Sequence, residues 1–201
     1  MIKNIIFDLG GVIINGHHYY VLNDLNISEE VKKEIEDKFF NEVTKLDYKE
    51  GTIQECLNNS GLEIDDYTKD YILHYYKHRK YNQDVIDLKN ELSKNYNIYI
   101  LSNMNMEVIN YLESIGIFEN TSGRIISQPY KTIKPDKEIY EILLNKYNLK
   151  PEECIFIDDT PENVETAINL GMSGFIYKEN TEELINYLKE KGINLWFLIF
   201  F

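Results

Sequence analysis

The sequence predicts an α/β fold: a doubly wound parallel sheet with an α-helical insert placed early in the chain. Three features predict it. Short apolar runs end abruptly in polar residues. From residue 84 onward such runs alternate with stretches of helical period. Residues 16–84 contain no such run and are charged, tyrosine-rich and helical in period. Strands alternating with helices build parallel sheets covered on both faces. The chain has 201 residues, enough for one domain of ~100–150 residues with an inserted subdomain. The division expected is a core of residues 1–15 and 85–201 and a helical insert of residues 16–84.

The first strand is read at Lys3–Phe7. In the insert, Val31, Ile35, Phe39 and Val43 recur every four residues and give one apolar helix stripe. Ser28 before Glu29 and Glu30 starts that helix, and Asn59-Ser60-Gly61 is a stop. Tyr67, Tyr71 and Tyr75 form a second stripe. A helix over Asp84–Lys94 then precedes a strand at Ile98–Leu101, and the next helix stops at Gly116. Ile125-Ile126 reads as a short strand, and Asp136–Tyr147 as an amphipathic helix with Ile139, Leu143 and Tyr147 on one face. Cys154–Ile157 is a strand. Thr160 caps the helix that follows, with Pro161 at its first position and Gly171 at its stop. Phe175–Tyr177 is a strand and Thr181–Lys191 the final helix.

Net charge is −13, which argues against nucleic acid, whose phosphates are gripped by basic patches. A small phosphorylated ligand is compatible with it, because a metal ion and one or two lysines can reverse the local field. Cys56 and Cys154 lie far apart without metal-ligand spacing; two unpaired thiols fit a cytoplasmic home. The N-terminal apolar run is interrupted by Asp8, so no signal peptide is expected. No apolar stretch approaches the ~18–20 residues that span a bilayer. The tail from Leu195 to Phe201 is wholly apolar; it reads as an edge strand, a plug in a groove, or a partner contact.

The chemistry concentrates where the strands end. Phe7-Asp8-Leu9-Gly10-Gly11-Val12-Ile13 runs an apolar strand into a carboxylate and then a glycine-rich turn. Side chains at the carboxyl ends of parallel strands project into the ligand crevice, and glycines there admit anions close to backbone N–H groups. Leu101-Ser102-Asn103 places a hydroxyl and an amide after a second strand. Lys134-Pro135 offers a positive charge whose direction is set by the proline. Asp158-Asp159 ends another strand with adjacent carboxylates, which repel unless a cation or donors offset them; Mg²⁺ favours such oxygens together with phosphate.

Carboxylate, hydroxyl, lysine and acidic pair, in that order, resemble the haloacid-dehalogenase-like (HAD) superfamily over the whole chain, insert included. Within it the motifs look most like the alpha-D-glucose-1-phosphate phosphatase group. The resemblance implies a Rossmann-like HAD core with a helical cap. It implies a Mg²⁺-dependent phosphatase that hydrolyses a small phosphorylated metabolite, a sugar phosphate such as an aldose-1-phosphate, through an aspartyl-phosphate. On that likeness Asp8 is the nucleophile. Asp8, the Gly10 carbonyl and Asp158 hold the metal, with Asp159 a direct or water-mediated helper. Ser102 and Lys134 hold phosphate oxygens, Asn103 orients the group or the nucleophile, and the N–H groups of Leu9 and Gly10 add donors.

One position departs from the pattern. Most phosphatases of this superfamily carry a second aspartate two residues after the nucleophile, and here that residue is Gly10. General acid–base catalysis is worth roughly 10²–10⁴-fold, so good leaving groups are the expected substrates: anomeric, acyl or aryl phosphates. His17 and His18 could touch substrate, replace the missing acid or simply face solvent. Arg79 could meet substrate oxygens or serve as a solvated hinge. Two rivals stand beside the phosphatase: a dehalogenase of the same fold, against which the acidic pair argues, and a non-catalytic phosphate-binding or regulatory protein.

Overall fold

The computed structural model describes residues 1–195, His18 by its backbone alone; of the apolar tail only Leu195, which is buried, falls inside it. Among the described residues five parallel strands form the sheet: β1 (Asn4–Phe7), β2 (Asn97–Ser102), β3 (Gly123–Ile126), β4 (Cys154–Asp158) and β5 (Ser173–Ile176), in the order β3-β2-β1-β4-β5. The strand order reverses beside β1, and in such sheets the ligand crevice lies outside the carboxyl ends at that switch point. Here β1 and β4 end side by side, with Phe7 opposite Ile157. The Asp8 N–H continues the ladder to the Ile157 carbonyl at 2.9 Å, so Asp8 leaves the sheet next to Asp158.

Side chains alternate between the two faces of a strand. Ile5 and Phe7 join one apolar cluster, while Ile6, Tyr99, Leu101 and Phe156 join the other. Both faces are covered, which explains strands that are apolar throughout. Helices α5 (Gln83–Leu92), α6 (Met106–Ser114) and α10 (Thr181–Glu190) bury Val85, Ile109 and Leu184 in the first cluster. Helices α8 (Lys137–Tyr147) and α9 (Pro161–Asn169) bury Leu143 and Ala167 in the second. α7 is the short turn Ser127–Tyr130 after β3.

The insert begins with a 3₁₀ segment, His18–Asp24, followed by α1 (Glu29–Ile35), a π-helical turn (Glu36–Phe40) and α2 (Asn41–Lys45). Then come α3 (Ile53–Asn59) and α4 (Asp66–Leu73). A strict four-residue spacing drifts about 40° per step around an α-helix of 3.6 residues per turn. The wider π turn absorbs that drift, so Ile35, Phe39 and Val43 are all buried. Ser28 caps α1 as expected, accepting the Val31 N–H at 3.3 Å. The insert joins the core through two antiparallel passes: Asn15 N–H donates to the Lys80 carbonyl and Asn82 N–H to the Ile13 carbonyl, each at 2.9 Å.

Some expectations are corrected. The tyrosine stripe breaks, because α4 ends at Leu73: Tyr67 is exposed and Tyr75, on a 3₁₀ turn, is buried. Thr160 occupies the cap position of α9, but its hydroxyl turns to Asp159 Oδ1 at 3.3 Å instead of capping. The strand expected at Phe175–Tyr177 lies two residues earlier at its start, at Ser173. Cys154 packs inside β4, its sulfur bound to the Asn4 amide and the Lys150 carbonyl.

One buried cation lies away from the strand ends. Lys89 of α5 is 1% exposed, and its ammonium donates to the carbonyls of Ile117 at 3.2 Å and Glu119 at 2.6 Å. Lys89→Met keeps the stem but orphans both carbonyls. It should destabilise the protein by about 1–3 kcal/mol, the cost of unsatisfied buried groups, measured by urea unfolding.

Candidate active site

Four chain segments meet at the carboxyl edge of the sheet. Asp8, Ser102, Lys134 and Asp158 are all buried. Lys134 Nζ lies 2.8 Å from Asp8 Oδ1 and 2.6 Å from Asp158 Oδ2, a cation shared by two carboxylates at adjacent strand ends. The Ser102 hydroxyl donates to Asp8, and the Leu9 N–H lies 2.7 Å from Asp8 Oδ1. Burial pushes the Asp8 carboxyl up to about 7; Asp158 adds to the rise, while Lys134 and Ser102 oppose it. Burial alone would lower Lys134, but Asp158 and Asp8 hold it above the usual lysine range.

The lysine is aimed by its backbone. Asn103 clamps it from both sides, its amide nitrogen donating to the Lys134 carbonyl at 2.9 Å and its amide oxygen accepting the Lys134 N–H at 2.8 Å. The Lys134-Pro135 peptide is cis. Asn103 therefore fixes Lys134 with both ends of its amide. Asp158 is equally committed: it accepts from the Thr160 N–H at 2.9 Å and from the Asn163 amide at 3.0 Å and 3.1 Å, besides Lys134.

Asp159 is freer. It is half-buried and lies against the glycine turn: a Cβ at Gly11, where φ is +70°, would fall 2.1 Å from Asp159 Oδ2. Burial and then Asp158 raise the Asp159 carboxyl above its ordinary value. One oxygen each from Asp8, Asp158 and Asp159 lie within 4.8 Å of one another. Such an all-oxygen, carboxylate-rich set suits a hard divalent cation.

A cavity of about 370 Å³ opens over this group. The core lines it with Asp8, Gly10, Gly11, Asn103, Lys134 and Asp159; the insert adds His17, Val43, Thr44, Asp47, Tyr75, Tyr76 and Arg79. Arg79 reaches the cavity wall, but its guanidinium is tied to the carbonyls of Asn15 and Gly16 where the chain crosses into the insert. His17 lines the cavity from an exposed position and stacks on Tyr19, with centroids 5.2 Å apart; the His18 side chain lies outside the described structure.

Sequence reasoning missed Asp47, which follows α2. Its carboxylate accepts the Asn105 N–H, and burial pushes it up to about 7. It also missed Asn163, although a buried asparagine five residues after Asp158, in the first turn of α9, faces back to the strand end. Ser127 was missed too: it donates to the Asp47 carbonyl and accepts the Met104 N–H.

The chain matches the haloacid dehalogenase-like hydrolase family over residues 2–171. It is 26% identical over 198 residues to D-ribitol-5-phosphate phosphatase of Bacteroides thetaiotaomicron, covering 87% of this chain and 91% of that protein. A shorter stretch of 62 residues, 31% of this chain, is 44% identical to Flavin mononucleotide hydrolase 1 of Arabidopsis thaliana and spans 25% of that protein. Among solved structures, a HAD family enzyme from Bacteroides thetaiotaomicron superposes with a TM-score of 0.67 at 25% identity, over 88% of this chain and 94% of that one. That enzyme has also been solved in complex with magnesium and inorganic phosphate, with a TM-score of 0.67 at 22% identity over 89% of this chain and 95% of that one. With the sheet order, the buried Asp8–Lys134–Asp158 arrangement and the match over residues 2–171 in agreement, this chain belongs to the haloacid dehalogenase-like hydrolase family.

Proposed function

We propose that this protein is a Mg²⁺-dependent phosphatase of small phosphorylated metabolites that works through an aspartyl-phosphate on Asp8. The observation that carries the reading is the buried lysine shared by Asp8 and Asp158, with the carboxylates of Asp8, Asp158 and Asp159 gathered within 4.8 Å at the mouth of a cavity. The magnesium and phosphate bound by the Bacteroides enzyme support it.

In this reading the Asp8 carboxylate attacks phosphorus in line with the ester oxygen and takes the phosphoryl group; water then releases phosphate. Lys134, the Ser102 hydroxyl and the N–H groups of Leu9 and Gly10 hold phosphate oxygens as charge builds on them. Asn103 acts by positioning Lys134. The metal ligands proposed are Asp8, the Gly10 carbonyl, Asp158 and Asp159. Asp158 already receives Lys134, Thr160 and Asn163, so Asp159 is the stronger candidate for a direct bond. A bound Mg²⁺ would screen Asp8 from the incoming phosphate and stabilise the charge of the transition state. The helical insert, residues 16–84, would be the cap that selects the substrate.

The substrate class is a sugar or polyol phosphate. D-ribitol-5-phosphate, the substrate named for the Bacteroides relative, is an alkyl ester; an aldose-1-phosphate is the candidate that the absence of a carboxylate at Gly10 favours. A panel of aldose-1-phosphates, polyol phosphates and aryl phosphates, assayed with Mg²⁺ and again with a chelator, tests the reading. Turnover that disappears with the chelator supports it. Metal-independent release of halide from 2-haloacids would establish the dehalogenase instead, and a folded protein inert to the whole panel would establish the binding role.

Gly11→Ala checks the metal assignment. The new methyl would displace Asp159, and second-contact changes of this kind typically cost 10–100-fold in metal affinity. The Mg²⁺ concentration for half-maximal rate should rise by roughly tenfold or more, read from a magnesium titration of initial rates.

A further inference from the structure

We propose that Asp47, carried by the helical insert, is the acid–base catalyst of this site. The inference rests on the phosphatase reading and deepens it. As the Asp8 oxygen bonds to phosphorus and the ester P–O bond breaks, the Asp47 carboxyl gives its proton to the departing oxygen, which leaves as an alcohol. In the second half, water attacks the phosphorus of the aspartyl-phosphate and passes a proton to the Asp47 carboxylate. The bond from phosphorus to Asp8 breaks, inorganic phosphate leaves, and both carboxyl groups return to their starting states.

Two independent observations lead there. First, the place beside the nucleophile where an acid would be carried by the core is open: a Cβ built at Gly10 meets nothing within 4 Å. Second, Asp47 lines the same cavity as Asp8, Gly10 and Lys134 and is held there from the core side. Its carboxylate accepts the Asn105 N–H, and its backbone carbonyl accepts the Ser127 hydroxyl. One amide donor occupies one of about four acceptor sites of a carboxylate, leaving capacity for a substrate oxygen or a water.

The other titratable groups of the cavity have commitments that remove them. Asp8 is the nucleophile, Asp159 belongs to the proposed metal set, and Lys134 bridges two carboxylates. The phenols of Tyr75 and Tyr76 are both held above the usual range, first by burial, while Arg79 is a guanidinium, which does not give up its proton. His17 is exposed and stacked on Tyr19. Asp47 itself is poised between its two states, because burial raises it to about 7 and Asp8 adds to the rise, while the Asn105 amide and Lys134 oppose it. A group that titrates near the working pH is the best placed for both halves of such a cycle.

The test compares Asp47→Asn with the wild type on a polyol phosphate and on p-nitrophenyl phosphate, both with Mg²⁺, in single-turnover and steady-state modes. A phenolate leaves without a proton. The variant should therefore release a first equivalent of nitrophenol within about threefold of the wild-type rate and then stall, because water attack has lost its base. On the polyol ester the first turnover itself should slow by roughly 10²–10⁴-fold. Adding Gly10→Asp to the variant should restore at least a tenfold share of polyol ester turnover. The burst shows that the variant is folded. Equal losses on the two esters in the first turnover, or no loss on the polyol ester, would overturn the role of Asp47. A wild-type protein inert to both esters would overturn the phosphatase reading and this inference with it.

Discussion

Asp8→Asn should abolish turnover of every phosphate ester, lowering kcat at least about a thousandfold, a loss typical of a missing nucleophile, while the fold survives. An amide cannot form the acyl phosphate, and the two neighbouring carboxylates have other commitments, Asp158 to Lys134, Thr160 and Asn163 and Asp159 to the proposed metal set. Asparagine keeps the shape of the side chain, and its oxygen can still accept the Leu9 N–H that lies 2.7 Å from Asp8 Oδ1. It also removes a negative charge that burial and Asp158 disfavour by more than Lys134 and Ser102 favour it, and Lys134 keeps Asp158 as its partner, so thermal melting in the absence of Mg²⁺ should stay at or above the wild-type temperature. Steady-state kinetics and a melting curve on one preparation check both halves. Residual activity above the thousandfold limit would place the nucleophile elsewhere.

Lys134→Met should lose activity and also destabilise the protein strongly. Removing one partner of a buried ion pair costs about 3–5 kcal/mol, because the charge left behind has no compensation. Here two carboxylates are left behind, Asp8 and Asp158. For a chain of this size, that corresponds to a fall in melting temperature of roughly 6–20 °C. The sign of the pH dependence follows from the carboxylates. Asp8 is already raised by burial and by Asp158, and Lys134 is the first of the groups that oppose the rise. Without the lysine its folded-state pKa climbs further above the unfolded value. The penalty is absent below the unfolded carboxylate range, about 4, and grows as pH rises through the folded-state value. The variant should therefore approach wild-type stability near pH 4–5 and fall furthest behind it near pH 8. Urea unfolding at both pH values measures this, and a deficit that does not change with pH would mean that Lys134 contributes by packing alone.

The gathering of Asp8, Lys134 and the pair Asp158-Asp159 was legible because each follows a local signal. A run such as Ile5-Ile6-Phe7 or Ile155-Phe156-Ile157 is apolar because both faces of its strand are covered. Where the run stops, the chain leaves the sheet at one common edge, so Asp8, Ser102 and Asp158 could be placed together without knowing any contact. Lys134 follows no strand directly; its place was readable from the proline that follows it. Asp47, Ser127 and Asn163 carry no such signal. Asp47 sits among charged residues at the end of a helix, where an aspartate usually faces water. Its approach to the cavity depends on how the insert meets the segments that follow β2 and β3, where Asn105 and Ser127 hold it, a long-range arrangement that spacing along the chain does not encode. The insert misled in one further respect. The tyrosine spacing at 67, 71 and 75 looks like one continuous stripe, but the change from α to 3₁₀ winding after Leu73 turns Tyr75 into the interior and leaves Tyr67 in water.

The segment from Asp47 to Ile53 is joined to the sheet side by polar bonds. Ser127 holds the Asp47 carbonyl, Gln128 donates to the Lys49 carbonyl at 3.0 Å, Lys131 pairs with Glu50 at 2.7 Å, and the Ile53 N–H donates to Glu107 at 2.8 Å. Lys131 and Glu50 are mostly exposed, and water and salt screen exposed pairs of this kind to little net stabilisation. The outer bonds, Gln128 to the Lys49 carbonyl and Lys131 to Glu50, join groups that solvent can serve almost equally well, so that edge of the seam can part at little net cost and rejoin in one register. A fastening of that sort resembles a hook-and-loop strip more than a bolt: it is specific in alignment and weak in pull. Its opening would therefore be paced by drag from the surrounding liquid, and catalytic cycles limited by product escape would slow as glycerol or sucrose thickens the medium.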